Sequence, residues 1–105
     1  MEIRRSTYFV LAALLDGPLH GYAIIGRATE LSGGEVRLST GTLFGALDRL
    51  VESGLVEAGE EEKVEGRVRR SYILTDEGLA ALTAEAGRLR RAARLVEMRL
   101  AKAAG

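Results

Sequence analysis

The chain has no cysteine and no tryptophan, a single histidine, a single proline and a net charge of zero. Without cysteine there is no disulfide scaffold, no thiolate metal site and no thiol redox switch. One histidine is too few for a zinc enzyme or a histidine-based triad. Glu60, Glu61, Glu62 and Glu65 cluster, but nothing beside them in sequence builds a substrate site, so neither catalysis nor a cofactor is expected. No apolar run reaches the roughly 20 residues of a membrane-spanning helix. The opening MEIRRSTYF lacks a signal-peptide cleavage region, so a cytoplasmic protein without membrane contact is expected. Neutrality also excludes a non-specific nucleic-acid coat, which needs a large excess of positive charge. At 105 residues there is room for one hydrophobic core.

What the chain does have is concentrated in residues 39–55, STGTLFGALDRLVESGL. Ser39 is a good N-cap and Gly54 a natural residue just past a helix end, which predicts a helix from Thr40 to Ser53. Leu43, Leu47, Leu50 and Val51 recur at i, i+4, i+7 and i+8 and form a core-facing stripe. The opposite stripe is Thr42, Gly45, Arg49 and Glu52. Glycines at 41 and 45 leave the first turn almost bare, although Gly costs about 1 kcal/mol against Ala inside a helix. A thinly covered N-terminal half suits close approach to a DNA groove, with free N–H groups aimed at a phosphate. The plain alternative is a satellite helix with two tolerated glycines.

After that helix, Leu55 to Glu57 begins a strand, Gly59 to Gly66 reads as a polar acidic loop, and Val68 to Leu74 is rich in strand formers. Helix, helix and hairpin in that order make the winged form of the helix-turn-helix. Arg67, Arg69 and Arg70 stand at the base and start of the returning strand, where a wing meets the DNA backbone. They either contact phosphates or pair with the acidic residues across the hairpin, and DNA can compete for them. Residues 57–66 carry a net −4, which opposes a wing tip in the minor groove; Lys63 alone could reach in. The tip is therefore expected to point away from DNA.

The first forty residues read as scaffold. Tyr8 to Leu15 is a helix apolar on all sides, stopped at Asp16-Gly17-Pro18. His20-Gly21-Tyr22 opens the next helix, with Ile24, Ile25, Ala28 and Leu31 inward and Gly33-Gly34 ending it. His20 reads as a helix-start residue rather than a ligand, because no partner ligand lies near it. At the other end, Thr75 caps a long helix with Asp76 and Glu77 in its first turn. Leu79, Leu82, Ala86, Leu89, Ala93, Val96, Leu100 and Ala103 step by three and four, an unbroken heptad seam. That helix runs ~40 Å, longer than the domain it leaves, so a dimer across the seam is expected. Leu95 and Met98 form a second, narrower apolar edge.

GPLHGYAI at 17–24, LSGGEVRLSTGTLFGALDRL at 31–50, SGLVE at 53–57 and GRVRRSYILTDEG at 66–78 closely resemble the PadR-like winged-helix transcriptional regulators. The resemblance covers about residues 5–80, in order. It implies a homodimeric repressor that binds palindromic operator DNA and is often released by a small molecule. It also implies that Tyr22 contacts a phosphate rather than filling core, and that a flat aromatic effector can bind at the dimer interface. Tyr8, Phe9 and Met98 are the side chains available for such stacking. The length resembles the short subfamily with one C-terminal helix. Phe44 stands where the family commonly has Tyr, so a phenolic phosphate contact is missing. Ser71 replaces a frequent aromatic.

The expected architecture is mainly α with a small β-hairpin: a winged helix-turn-helix over 1–74 and a dimerisation helix over 75–105. Thr42 and Arg49 are assigned to bases or adjacent backbone. Ser39, Thr40, Tyr22, Arg67, Arg69 and Arg70 are assigned to phosphates. The alternative of a different class is a winged-helix protein-interaction module whose acidic wing docks a partner without DNA.

Overall fold

The computed structural model describes residues 2–105. Its elements are α1 (Arg5–Ala13), β1 (Leu19–His20), α2 (Gly21–Leu31), α3 (Thr40–Glu52), β2 (Val56–Val64), β3 (Arg67–Leu74) and α4 (Asp76–Ala104). The strands form one antiparallel sheet in the order β1-β3-β2. Val10, Leu11 and Leu14 from the first helix and its exit, Ile24 from α2 and Leu43, Leu47 and Leu50 from α3 meet Val56, Tyr72 and Leu82 in a single core. The architecture is that of a winged helix-turn-helix with a long trailing helix.

The helix ends are set by local chemistry. Ser39 Oγ accepts from the Thr42 N–H at 3.2 Å and starts α3. At the other end Gly54 is left-handed (φ 79°); its N–H donates to Val51 O at 3.1 Å, and the Leu55 N–H donates to Leu50 O at 3.0 Å. These are the two bonds of a Schellman cap. The same pair ends α2, where the Gly33 N–H donates to Glu30 O and the Gly34 N–H to Thr29 O. Thr75 then ties three segments together: its hydroxyl accepts from the Gly78 N–H at 3.0 Å and donates to Gly54 O at 2.7 Å, while its own N–H donates to Leu55 O. Gly78 has to be glycine, since a Cβ there would fall 2.0 Å from Leu55 O.

Several expectations need correction. The first helix begins at Arg5 and ends at Ala13 rather than spanning 8–15; Thr7, Val10, Leu11 and Ala13 are buried within the chain, and Leu15, past the helix end, is exposed. On α2, Leu31 faces solvent. On α3 the buried stripe is Leu43, Ala46, Leu47 and Leu50. At 100° per residue Val51 lies about 80° from Leu43 and falls off the buried arc, while Ala46, about 60° away on the other side, stays inside. A third strand, β1, precedes α2, with Leu19 opposite Tyr72 and His20 opposite Ser71.

The hairpin departs most. The acidic stretch is strand, not loop: β2 continues to Val64, and the connection is only Glu65-Gly66, with φ of 52° and 79°. Two successive left-handed residues make the type I′ turn that matches strand twist. One extra residue at Gly59-Glu60 bulges β2 between the pairs Ala58–Tyr72 and Glu61–Arg70. Glutamates normally disfavour strands, but here Glu61 and Glu62 stand opposite Arg70 and Arg69, so cross-strand charge pairing offsets poor propensity.

α4 is 29 residues long. Only its first half touches the domain, where Gly78, Leu82 and Gly87 are buried; every residue from Arg88 onward is exposed. The chain is accordingly elongated, 62 × 26 × 22 Å. Among the described residues no helix is long and apolar enough to cross a membrane.

Candidate nucleic-acid interface

The exposed side of α3 presents Thr40, Gly41, Thr42, Asp48, Arg49 and Glu52. The Ser39 hydroxyl is committed to the cap and to Thr42 Oγ1, 2.9 Å away. In the free chain the hydroxyl thus has a capping role, and its expected phosphate contact would have to compete with that bond. The cap satisfies the Thr42 N–H, and the Leu43 N–H goes to Ser39 O. Among the described residues no acceptor meets the Thr40 and Gly41 N–H groups, which stay available at the positive end of the helix dipole. Arg49 extends along the bare patch left by Gly45, its Nη1 3.7 Å from where a Cβ at 45 would sit. A methyl at 45 would meet that guanidinium in ordinary van der Waals contact.

Beside α3, the start of α2 and the wing enclose a cleft of about 220 Å3 bordered by Tyr22, Phe44, Glu61, Arg69 and Arg70, with His20 and Tyr72 behind. Phe44, half-buried on α3, packs on the backbone of Gly21 and meets the Tyr22 ring edge-to-face, centroids 6.3 Å apart at 77°. Tyr22 itself is 57% exposed. This settles its placement: it is a rim residue, not core. In β3 the period of two puts Val68, Arg70 and Tyr72 on one face and Arg69 and Ser71 on the other. Burial raises the Tyr72 pKa above its ordinary value of 10.0; the Arg70 cation opposes that rise and the Asp48 carboxylate adds to it.

The assigned cations are not equivalent in place. Arg70 borders the cleft and pairs with Glu61; Arg69 also borders it but stands opposite Glu62. Lys63 and Arg67 sit near the turn, opposite Val68 and Val64, and do not line the cleft, although Val68 does. Phe44, Gly21 and Glu61 were not assigned roles from sequence. The departure from Tyr at 44 marked Phe44 as unusual, but nothing local could tell that its ring would rest on Gly21.

The residues assigned to assembly and effector binding divide. Leu82 is 5% exposed and belongs to its own chain's core, and Ala86 is half-buried. Ala93 is exposed, as are Leu79, Leu89, Val96 and Leu100, between 41% and 62% for those four. Tyr8 and Phe9 stack edge-to-face at 5.3 Å in a groove between α1 and α4 shared with Ile3, Arg5, Glu85, Arg88 and Leu89. Met98 does not join them. It lies on the outer half of α4 with Leu95, Val96 and Leu100.

Comparison with known proteins agrees with this geometry. The model of the transcriptional regulator PadR-like family matches residues 10–84. Over 87 residues the chain is similar to transcriptional regulator Rv3488 of Mycobacterium tuberculosis, at 39% identity, covering 83% of this chain and 78% of that one. It is similar, at 44% identity over 86 residues, to an uncharacterized 37.1 kDa protein in transposon TN4556 of Streptomyces fradiae. That match takes in 82% of this chain but only 23% of the transposon protein, so the chain spans about a quarter of that relative's length. Among solved structures, Bacillus subtilis PadR in complex with operator DNA is similar with a TM-score of 0.66 and 25% identity, covering 77% of this chain and 46% of that one.

Proposed function

The chain belongs to the PadR-like family of transcriptional regulators, and from that membership and the geometry of α3 and the wing we propose that it acts as a homodimeric repressor bound to a palindromic operator in the cytoplasm. The observation that carries this reading is the juxtaposition at the cleft. Phe44, just past the lightly covered first turn of α3, borders one cleft with the Tyr22 rim and Arg70, so the exposed start of α3 and a wing cation belong to neighbouring surface, as a helix in a major groove and its flanking backbone contact require. Arg49 and Thr42 contact bases or adjacent backbone. The free Thr40 and Gly41 N–H groups, Tyr22, Arg69 and Arg70 hold phosphates, and Lys63 and Arg67 add charge from the wing's end.

The exposed seam of α4, from Leu89 through Ala93 and Val96 to Leu100, meets the same seam of a second copy, and the pairing fixes the distance between the two recognition helices. Leu79 completes the apolar edge next to α1. A small aromatic effector would enter the Tyr8–Phe9 groove, which lies against the same helix, rather than a site that includes Met98 of the same chain. The test is selection of bound fragments from the source genome by the purified chain. An inverted repeat that shifts with two chains per duplex is the expected result. A dimer that binds no duplex even at low salt would instead favour a winged-helix module for protein contacts.

A further inference from the structure

Two opposite charges share the wing face that looks toward α3. Glu61 stands directly across from Arg70 in the β2–β3 register, and Arg70 Nη2 donates to Glu61 Oε1 at 3.0 Å. Cross-strand neighbours project from the same face, so Glu61 enters the cleft with Arg70, beside Tyr22 and Phe44. The adjacent glutamates are placed differently. Glu62 stands opposite Arg69, with its carboxylate 3.9 Å from His20 Nε2. Glu60 lies in the bulge, and among the described residues no cation pairs with it. Of the acidic run, among the described residues only Glu61 pairs with Arg70.

We propose that the cleft is a seat for one DNA backbone phosphodiester, and that Glu61 is its resident anion, exchanged for the phosphate when duplex binds. The inference rests on the reading that α3 and the wing face DNA. A carboxylate and a phosphodiester each offer a guanidinium two oxygens sharing one negative charge, so they compete for the same donors. Both partners of the Glu61–Arg70 pair are exposed, and such a pair is weak. A phosphate displaces it with the added drive of released counterions. Phe44 and Tyr22 supply an aromatic wall on the same cleft as Arg70. The exchange accounts for an acidic strand beside a DNA-facing helix: the free protein carries a neutralised wing, and Arg70 becomes available only against a competing anion.

The test uses the full chain and a labelled random-sequence duplex of about 30 base pairs, titrated by anisotropy at several salt concentrations. Glu61→Gln is expected to tighten binding at low salt by about 1.4- to fivefold per wing, the strength of an exposed ion pair, with the gain fading as salt rises. Glu60→Gln removes the same charge one residue away and is expected to give a smaller gain. Arg70→Gln is expected to weaken binding more in the Glu61→Gln background than in the parent. All three residues are exposed, so the variants keep the fold. Equal gains from Glu60→Gln and Glu61→Gln would reduce the effect to net charge and overturn the exchange. Weaker binding by Glu61→Gln would overturn it too, making Glu61 a support that orients Arg70. If Arg70→Gln is silent in both backgrounds while Arg49→Ala impairs binding, the seat is wrong and the reading of α3 stands. If the parent binds no duplex at low salt, both fall.

Discussion

Phe44 leaves no room for a side chain at residue 21: a Cβ built on Gly21 would lie 2.6 Å from Phe44 Cζ and 2.9 Å from Cε1. The contact locks the first turn of α2 to the middle of α3 and fixes where Tyr22 stands. Gly21→Ala should therefore destabilise the fold by about 1–3 kcal/mol, the usual cost of overpacking. Phe44→Leu in the same chain should relieve part of it, making the double variant more stable than the summed single losses. Chemical denaturation of the four proteins of that cycle checks the coupling, and strict additivity would mean that the contact carries no strain.

Val96 offers the cleanest test of assembly because it is 58% exposed and lies beyond its own domain, so changing it leaves the monomer's core intact. Val96→Asp puts a charge into the seam twice per dimer. The dimer dissociation constant should rise at least about a hundredfold, roughly 2.8 kcal/mol, by sedimentation equilibrium. The far-ultraviolet dichroism of the domain should be retained, with loss confined to fraying of the outer helix.

Arg49 and Arg70 should separate in kind rather than in size. Arg49→Ala should cost about 1–3 kcal/mol and relax preference at one position per half-site, as expected for a side chain that reads a base edge. Arg70→Ala should weaken all duplexes alike and flatten the dependence of affinity on salt by about one phosphate contact per wing. Titrations of a selected operator and its single-base variants at several salt concentrations distinguish the two. An Arg49→Ala variant that keeps its sequence preference contradicts the base-reading role.

Tyr72 predicts an alkaline weakness. Its phenol is held above the ordinary value of 10.0, chiefly by burial, so the folded state binds that proton more tightly than the unfolded chain does. The associated stability is complete below the unfolded pKa of about 10 and is lost as pH rises through the folded value. Thermal unfolding from pH 8 to 11.5 should show the parent losing stability above pH 10 faster than Tyr72→Phe. The gap between the two would shrink as pH rises. A constant gap across that range would mean that the phenol does not titrate differently in the fold.

The caps and breaks of this fold were legible because each rests on a few adjacent residues. Ser39 with Thr42, Thr75 with Gly78 and the left-handed Gly33 and Gly54 are local devices, and their residue types announce them. The acidic strand was not legible. Glu60 to Glu62 have poor strand propensity, and only the arginines about nine residues on, brought opposite by the Glu65-Gly66 turn, make an extended ladder favourable. β1 is two residues long, too short for any periodicity, and exists because Tyr72 and Ser71 stand ready to pair. Val51 and Ala46 exchanged places because the centre of a helical stripe is set by what packs on it. In the candidate site, the exposure of Thr42 and Arg49 could be read in advance from the stripe of α3 that faces away from the core. The Gly21–Phe44 contact and the pairing of Arg70 specifically with Glu61 could not, since both depend on elements separated by other structure.

Binding of duplex DNA by a dimer through α3 and the wing can be measured by titrating a genome-selected fragment with the purified chain from about 50 to 200 mM salt. Saturation is expected at two chains per duplex, with preference over a random duplex. Affinity should also fall as a power of salt concentration set by the phosphates engaged. An intact dimer that shows no saturable binding at 50 mM salt, or binding with no dependence on salt, would contradict it.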